Sequence, residues 1–306
     1  MATSVRPVVH KGASGGPGLQ GSSRAMRRVL TQLRQLARLP WPVRLEGPTG
    51  AGKSVSARLL HEWSDRASGP FVCCHVNSLA SGLELDELRG HRRGAFTGAL
   101  TDRKGAFEAA NGGTLFIDEL GTATPAVQRA LLQLIEEPTV QRLGDERPIR
   151  VDVRLVFATN VDLRRAVDEG TFRADLYYRL GLLVVHLPAL VDRREDIPGL
   201  VRGILKRKAQ EAGLEVPSLS TRDMSALQQH EWPGNVRELE NVCESYFAFG
   251  CLPRDLMSTT TLGPWRERLD TTLSQCEGNI TATADLLGVT RQTVHKELRR
   301  RARTSE

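Results

Sequence analysis

From Arg24 to Leu39 the apolar positions Met26, Val29, Leu30, Leu33, Leu36 and Ala37 recur at helical spacing, and Pro40 and Pro42 end the run. VRLEG then reads as a short strand entering a glycine-rich turn, and SVSARLLHEWS as the helix that leaves it. Apolar strands recur at FVCCHV, GTLFID, RLVFATN and LLVVHL, separated by helical stretches such as PAVQRALLQLIEE. Strands of this kind alternating with helices predict an α/β fold, a parallel sheet covered on both faces. VQRLGDERPIRVDVR has strand-like flanks around Gly144-Asp145 and reads as an inserted hairpin. From Asp196 to about Gly250 the strand signals stop and helical patterning takes over. GCLPRDLMSTTTLGP reads as a linker, and the last forty or so residues as a small all-helical unit. The expected boundaries are a flexible tail at 1–18, an α/β unit at 19–187, a helical subdomain at 188–250, a linker at 251–264 and a terminal domain at 265–306.

Composition narrows the class. Forty per cent hydrophobic and 25% charged residues in a 306-residue chain describe a globular protein with at least one substantial core. No run reaches the ~18 apolar residues of a membrane span, and the first residues lack a secretory apolar core, so a cytoplasmic protein with no membrane partner is expected. Cys73, Cys74, Cys243, Cys251 and Cys276 lack zinc-type spacing and read as reduced thiols serving as small hydrophobes. Net charge is +6, of which +5 lies between Arg291 and Arg303. A near-neutral body with a basic terminus suggests that one end meets a polyanion.

The strongest chemical signal is Gly47-Pro48-Thr49-Gly50-Ala51-Gly52-Lys53-Ser54, a complete G-x-x-x-x-G-K-S loop between a predicted strand and a helix. Its glycines let backbone N–H groups face phosphates, and the helix N-terminus adds partial positive charge. Lys53 is expected to reach the outer phosphates of ATP and Ser54 to ligate Mg²⁺. In GGTLFIDEL the buried strand delivers Asp118 and Glu119 to its C-terminal end, where open α/β sheets bind ligands. Asp118 would orient the Mg²⁺ shell and Glu119 would polarise the attacking water. Gly112 and Gly113, which open this segment, are counted with the nucleotide site.

Gly94, Ala95, Phe96, Thr97, Gly98 and Ala99 form an uncharged hexapeptide between basic clusters, with Phe96 its only bulky side chain. Two glycines in five residues, each costing ~1 kcal/mol relative to alanine in a helix, argue for a loop.

With the phosphate loop, Asp118-Glu119 and GAFTGA in place, the chain resembles the sigma-54-dependent transcriptional activators, a branch of the AAA+ ATPases, from Leu19 to about Ser245. TFRADLYYRL, REDIP and WPGNVRELEN are further motifs of that family in the expected order. The resemblance implies that Gly94 to Ala99 is the tip that contacts the sigma-54 subunit of RNA polymerase, moving with nucleotide state. It implies that Asn160 senses the γ-phosphate, that Arg173 and Arg179 complete a neighbouring subunit's site, and that Arg237 reports nucleotide state to the helical lid. Arginines acting in trans require a closed head-to-tail ring, for which the family implies a hexamer. Thr97 would offer a hydroxyl, and Phe96 an apolar anchor, to the partner.

The sequence departs from the family pattern at three places. Ser54 stands where the family usually has glutamate. His75 occupies the position of the asparagine that restrains the catalytic glutamate, with Asn77 two residues on. Arg89 replaces the usual phenylalanine before Gly90.

NITATADLLGVTRQTVHKELRRR reads as helix, turn at Gly288 and second helix, with Ala284, Leu286, Leu287, Val289, Val294 and Leu298 as core, and resembles a Fis-type DNA-binding domain. Its second helix would enter the major groove of double-stranded DNA, with Thr290, Arg291, Gln292, Thr293, His295 and Lys296 near bases and Arg299 and Arg300 nearer phosphates. Only about 18 residues precede Leu19, so control is expected from a trans-acting regulatory protein, from expression level, or from neither. The rival readings are a DNA-binding regulator with impaired ATPase coupling and an AAA+ remodeller of another protein.

Overall fold

The computed structural model describes residues 8–10, 19, 21–78 and 82–253, and beyond them 269, 272–274, 276, 279–287, 294 and 298. Contacts divide the chain into two units, Met1–Ile204 with Trp232–Asn241 and Leu205–Glu231 with Val242–Glu306.

The first unit is built on a six-stranded sheet. Its strands are β1 (Val8–His10), β2 (Val43–Glu46), β3 (Phe71–His75), β6 (Thr114–Asp118), β9 (Arg154–Thr159) and β10 (Val184–His186), in the order β1-β3-β6-β9-β2-β10. All neighbours pair in parallel except β1, which lies antiparallel on β3. The parallel strands are the five apolar segments read from the sequence. β1 falls in the stretch read as a flexible tail, and its backbone pairs Val8 with Cys73 and His10 with Phe71.

Both faces of the sheet are covered, as period-2 alternation requires. Leu115 and Ile117 of β6 and Leu155 and Phe157 of β9 join one core. That core also takes in residues of α3 (Glu84–Arg89), α4 (Ala106–Ala109), α5 (Pro125–Glu136), α6 (Leu163–Asp168) and α7 (Ala174–Arg179). Phe116, Val156 and Ala158 point the other way, against Met26, Val29 and Leu33 of α1 (Arg24–Ala37) and Ala57 and Leu60 of α2 (Lys53–Glu62). Arg154 closes that second face. Its guanidinium is buried and donates to the carbonyls of Leu36, Ala37 and Leu60 at 2.7–3.1 Å, satisfying the C-terminal ends of both helices. At the other end of α1, the Asp196 carboxylate accepts from the Ser22 and Ser23 backbone at 2.6 and 2.7 Å and from the Ser23 hydroxyl at 2.7 Å.

Two short hairpins interrupt the helices: β4 (Gly90–His91) with β5 (Arg103–Lys104), and β7 (Thr139–Val140) with β8 (Ile149–Arg150). The second is the predicted hairpin, with Gly144 at φ 75°.

α8 (Ile197–Ala212) and α10 (Asn235–Phe249) contribute residues to both units, and α9 (Thr221–Gln229) belongs to the second. Within the second unit, Lys208 pairs with Glu244 at 2.6 Å and the Tyr246 hydroxyl donates to the Ser218 carbonyl. Towards the C-terminus, α11 (Ile280–Leu287) packs Ala284 and Leu287 with Leu269 and Val294, with Leu298 and Ile280 partly buried beside them. Ala284, Leu287, Val294 and Leu298 were among the expected core positions. Val289, and the side chain of Leu286, lie outside what is described. No described helix is long and apolar enough to cross a membrane.

Candidate nucleotide site and projecting loop

Gly47 to Gly52 connect β2 to α2, and Lys53 and Ser54 open the helix. At Gly50 the backbone has φ 76°, and a Cβ there would lie 2.2 Å from the Gly234 carbonyl, so only glycine fits. The Lys53 ammonium donates to the carbonyls of Gly47 and Pro48 at 2.7 and 3.0 Å, folding its charge over the loop. Burial, the largest influence, lowers its pKa; Asp118 and Glu119 oppose that shift, and Arg237 adds to it. A buried lysine folded over its own glycine-rich loop at a helix N-terminus fits an anionic phosphate.

Asp118 sits at the C-terminal end of β6 and accepts from the Ser54 hydroxyl at 3.4 Å. Glu119 follows in a left-handed conformation, φ 60° and ψ 38°, which is rare outside glycine and asparagine and turns the chain sharply off the strand. The Asn77 amide donates to the Glu119 carboxylate, and the Thr122 hydroxyl donates to the Asn77 carbonyl oxygen at 2.5 Å. His75 is in register with Asp118, 3.3 Å from its carboxylate, with the Cys73 sulfur 3.3 Å from its other nitrogen. Burial and Asp118 push the Cys73 thiol up to about 12, so that sulfur stays protonated at neutral pH. The departure at position 75 thus resolves into two contacts: the histidine meets Asp118 and Asn77 meets Glu119.

Asn160, just past β9, donates to the Thr49 hydroxyl at 3.2 Å. Arg237 stands beside the loop, its Cβ 3.2 Å from where a Gly50 side chain would begin. Arg173 and Arg179 are exposed and turned elsewhere, Arg173 in a two-pronged pair with Asp175 at 2.6 and 3.0 Å and Arg179 at 3.3 Å from Glu136. No hydrogen bond or ion pair among the described residues joins either to Lys53, Asp118 or Glu119.

Gly112 and Gly113 do not belong to this cluster. They precede Thr114, at the end of β6 opposite Asp118, roughly 13 Å away along the strand. Their reason is packing: a Cβ on Gly113 would lie 2.0 Å from the Pro70 carbonyl. The position of the strand's two ends, not the motif's continuity, decides which residues reach the ligand.

Sequence reasoning passed over Asn235 and Arg193. Asn235 is buried at φ 54°; its amide oxygen accepts from the Leu190 N–H at 2.7 Å and its nitrogen donates to the Thr49 carbonyl at 2.9 Å. Val236 N–H donates to Gly50 at 3.1 Å, and the buried Arg193 guanidinium to Ala51 at 2.9 Å. Three successive loop carbonyls are therefore held from behind. Asparagine between glycine and a helix was the available signal, since it tolerates left-handed backbone.

The hexapeptide closes the β4–β5 hairpin as a tight turn, with Gly94 N–H donating to Ala99 at 2.8 Å and Ala99 N–H to Phe96 at 3.0 Å. Phe96 is 37% exposed, its ring edge-on to His91 with centroids 5.0 Å apart, while Ala99 is buried. The most exposed apolar side chain here is Leu100, at 81%, just beyond the motif. A fully bare phenylalanine tip is thus not what this conformation presents. The turn is fastened to the neighbouring hairpin: Ala95 abuts Gly144, Arg92 N–H donates to the Leu143 carbonyl at 2.9 Å, and the Arg92 guanidinium pairs with Asp145 at 2.8 Å and with Asp102. At its base, Arg142 grips Glu108 at 2.7 and 2.8 Å. Arg89 donates to Gln133 at 2.9 Å, which carries its side chain onto α5.

Thr290, Arg291, Gln292, Thr293, His295, Lys296, Arg299 and Arg300 lie outside the described residues.

Comparison with known proteins gives a consistent picture. Residues 19–186 match the sigma-54 interaction domain, 191–262 an AAA+ ATPase lid domain, and 266–300 the Fis family of bacterial regulatory proteins. The chain is 41% identical over 294 residues to the C4-dicarboxylate transport transcriptional regulatory protein DctD of Pseudomonas aeruginosa, covering 92% of this chain and 64% of that one. It is 47% identical over 224 residues to a Nif-specific regulatory protein of Herbaspirillum seropedicae, covering 73% and 41%. It thus spans less than two thirds of the length of either relative. The ATP complex of NtrX from Brucella abortus superposes with a TM-score of 0.73 at 32% identity, covering 93% of this chain and 69% of that structure. The chain belongs to the sigma-54-dependent activators, with an AAA+ parallel-sheet core, a helical lid and a Fis-type helix-turn-helix region.

Proposed function

We propose that the protein is an ATP-hydrolysing activator that binds DNA upstream of promoters and converts closed complexes of sigma-54 RNA polymerase into open ones. The observation that carries this reading is the pairing, in one chain, of a braced phosphate loop with Asp118 and Glu119 and of a projecting GAFTGA turn.

Each residue then has a task. Gly47 to Gly52 and Lys53 hold the triphosphate through backbone N–H groups and one ammonium. Ser54 and Asp118, whose oxygens converge to 3.4 Å, form a hard-oxygen pair that fits Mg²⁺ and would hold it. An ion held by these two oxygens would supply charge neutralisation to the bound phosphates. Glu119 accepts a proton from the attacking water once Asn77 releases its carboxylate. Asn160 orients the terminal phosphate, and Arg237 reports its presence to the lid. Arg173 and Arg179 serve the adjoining subunit, because their exposed guanidiniums have no partner at their own chain's site; the assembly is therefore a closed ring, hexameric as in the family. Gly94 to Ala99 present Phe96 and Thr97 to the sigma subunit, with Leu100 beside them.

Asn77 at Glu119 favours this reading over a regulator with impaired coupling, since the glutamate keeps a restraining partner despite the histidine at 75. The test is a Glu119→Gln variant in nucleotide-binding and turnover assays. It should bind ATP as the parent does and lose turnover by roughly 10²–10⁴-fold, the usual contribution of a general base. Brisk hydrolysis by that variant would remove Glu119 from its role.

A further inference from the structure

The basic charge of this chain is not confined to its C-terminal end. On the outward side of α1, Arg24, Arg27, Arg28, Thr31, Arg34, Gln35 and Arg38 fall on one stripe, opposite the buried Met26, Val29, Leu33 and Ala37. No acidic residue occurs between Ser23 and Leu39. For the isolated helix this pattern is unfavourable twice over. Arginines crowd an N-terminal turn where the macrodipole disfavours cations, and Arg24–Arg28 and Arg34–Arg38 are like charges four residues apart. Arg34 rests over the Trp63 ring at 5.3 Å, whereas Arg24, Arg27, Arg28 and Arg38 form no ion pair with any described residue. Arg24, Arg27, Arg28, Thr31 and Gln32 line one open hollow, with the Thr31 hydroxyl turned back onto the Arg27 carbonyl at 2.9 Å.

We infer that this face of α1 is a second, sequence-independent docking surface for duplex DNA, seating backbone phosphates in the hollow and along the stripe. Every cation is arginine, whose planar fork matches phosphate oxygens two at a time. The 14-residue helix is about 21 Å long, a length over which one DNA strand presents roughly six phosphates. The Fis-type region of the same chain supplies the continuity with DNA on which the inference rests. Contacts of this kind position a protein on the duplex without reading bases.

The test compares the full chain with an Arg24→Gln/Arg27→Gln/Arg28→Gln variant, and with a charge-matched control carrying Arg129→Gln, Arg164→Gln and Arg202→Gln at exposed positions elsewhere. Glutamine is a good helix former, and ATP turnover equal to the parent's checks that both variants fold. Affinity for a duplex of arbitrary sequence is measured across salt concentrations. The stripe variant should show a log K against log salt slope shallower by roughly 2 to 3, about 0.9 for each phosphate it no longer neutralises, while the control keeps the parent slope. Equal slopes for parent and stripe variant, or an equal loss in the control, would overturn the inference. So would a stripe variant that keeps the parent DNA slope but loses binding to poly-glutamate, which would assign the face to an acidic protein. A footprint on a specific upstream site reports separately on the helix-turn-helix reading, so failure of either is told apart.

Discussion

At the scale of the residue, the least expected feature is Asn235, where a left-handed backbone and two buried hydrogen bonds coincide on one side chain behind the phosphate loop. The two contributions separate by substitution. Asn235→Gly keeps the backbone conformation and leaves the Leu190 N–H and Thr49 carbonyl without partners, which should lower stability by about 1–3 kcal/mol. Asn235→Ala should lose a further ~1–2 kcal/mol, because a Cβ resists the left-handed region. Chemical denaturation is the measurement, and the expected order is parent, glycine variant, alanine variant. Both variants should also raise KM for ATP more than they lower kcat, since they loosen the loop and leave Glu119 untouched. An alanine variant as stable as the glycine one would remove backbone strain from the account.

At the scale of the element, the projecting turn is defined by what clamps it. Arg92 ties the turn to Asp145 of the neighbouring hairpin and to Asp102 on its own return strand. Arg92 and Asp102 are solvent-exposed and Asp145 is largely covered, so the Asp102 arm of the clamp is expected to be weak and the Asp145 arm to carry most of it. Hydrogen bonding holds both carboxyls below the usual carboxylate range: from the Arg93 N–H first and then Arg92 for Asp102, and from Arg92 first for Asp145. A depressed carboxyl pKa gives an interaction that is complete above the unfolded value, near 3.9, and is lost only as pH falls through the lower folded value. Amide exchange of residues 94–100, corrected for intrinsic rates, should therefore be flat from pH 5 to 8. Asp145→Asn should speed that exchange at neutral pH and make it more uniform with salt. Exchange in the variant equal to the parent's would show that the backbone bonds of Leu143 hold the turn alone.

At the scale of the whole molecule, much of the sheet and of the nucleotide cluster was legible because local chemistry enforces it. Central parallel strands must be apolar on both faces, so β3, β6 and β9 announce themselves, β2 and the edge strand β10 follow from their short apolar runs, and the phosphate loop needs its glycines and lysine in a fixed order. What was illegible depends on partners distant in sequence. β1 is set by its pairing with β3, and Gly113 by Pro70. Arg154 reads as a strand-edge charge until the ends of α1 and α2 arrive over it. The arginine stripe is hidden in a near-neutral body because acidic residues elsewhere in the chain offset its charge.

The ring proposal also belongs to this scale. Glu119→Gln and Arg173→Ala should each abolish turnover alone, yet mixing the two should restore a fraction of it, since some subunit boundaries then combine an intact glutamate with an intact arginine. No recovery on mixing, with assembly intact, would place Arg173 outside the neighbouring site.

The central claim is that hydrolysis is spent on a polymerase subunit through the GAFTGA turn. The most direct measurement is open-complex formation on a sigma-54-dependent promoter by a Phe96→Ala variant, with ATP turnover followed in the same reaction. The account predicts ATP hydrolysis at the parent's rate and no open complexes. Promoter opening at the parent's level by that variant would contradict it.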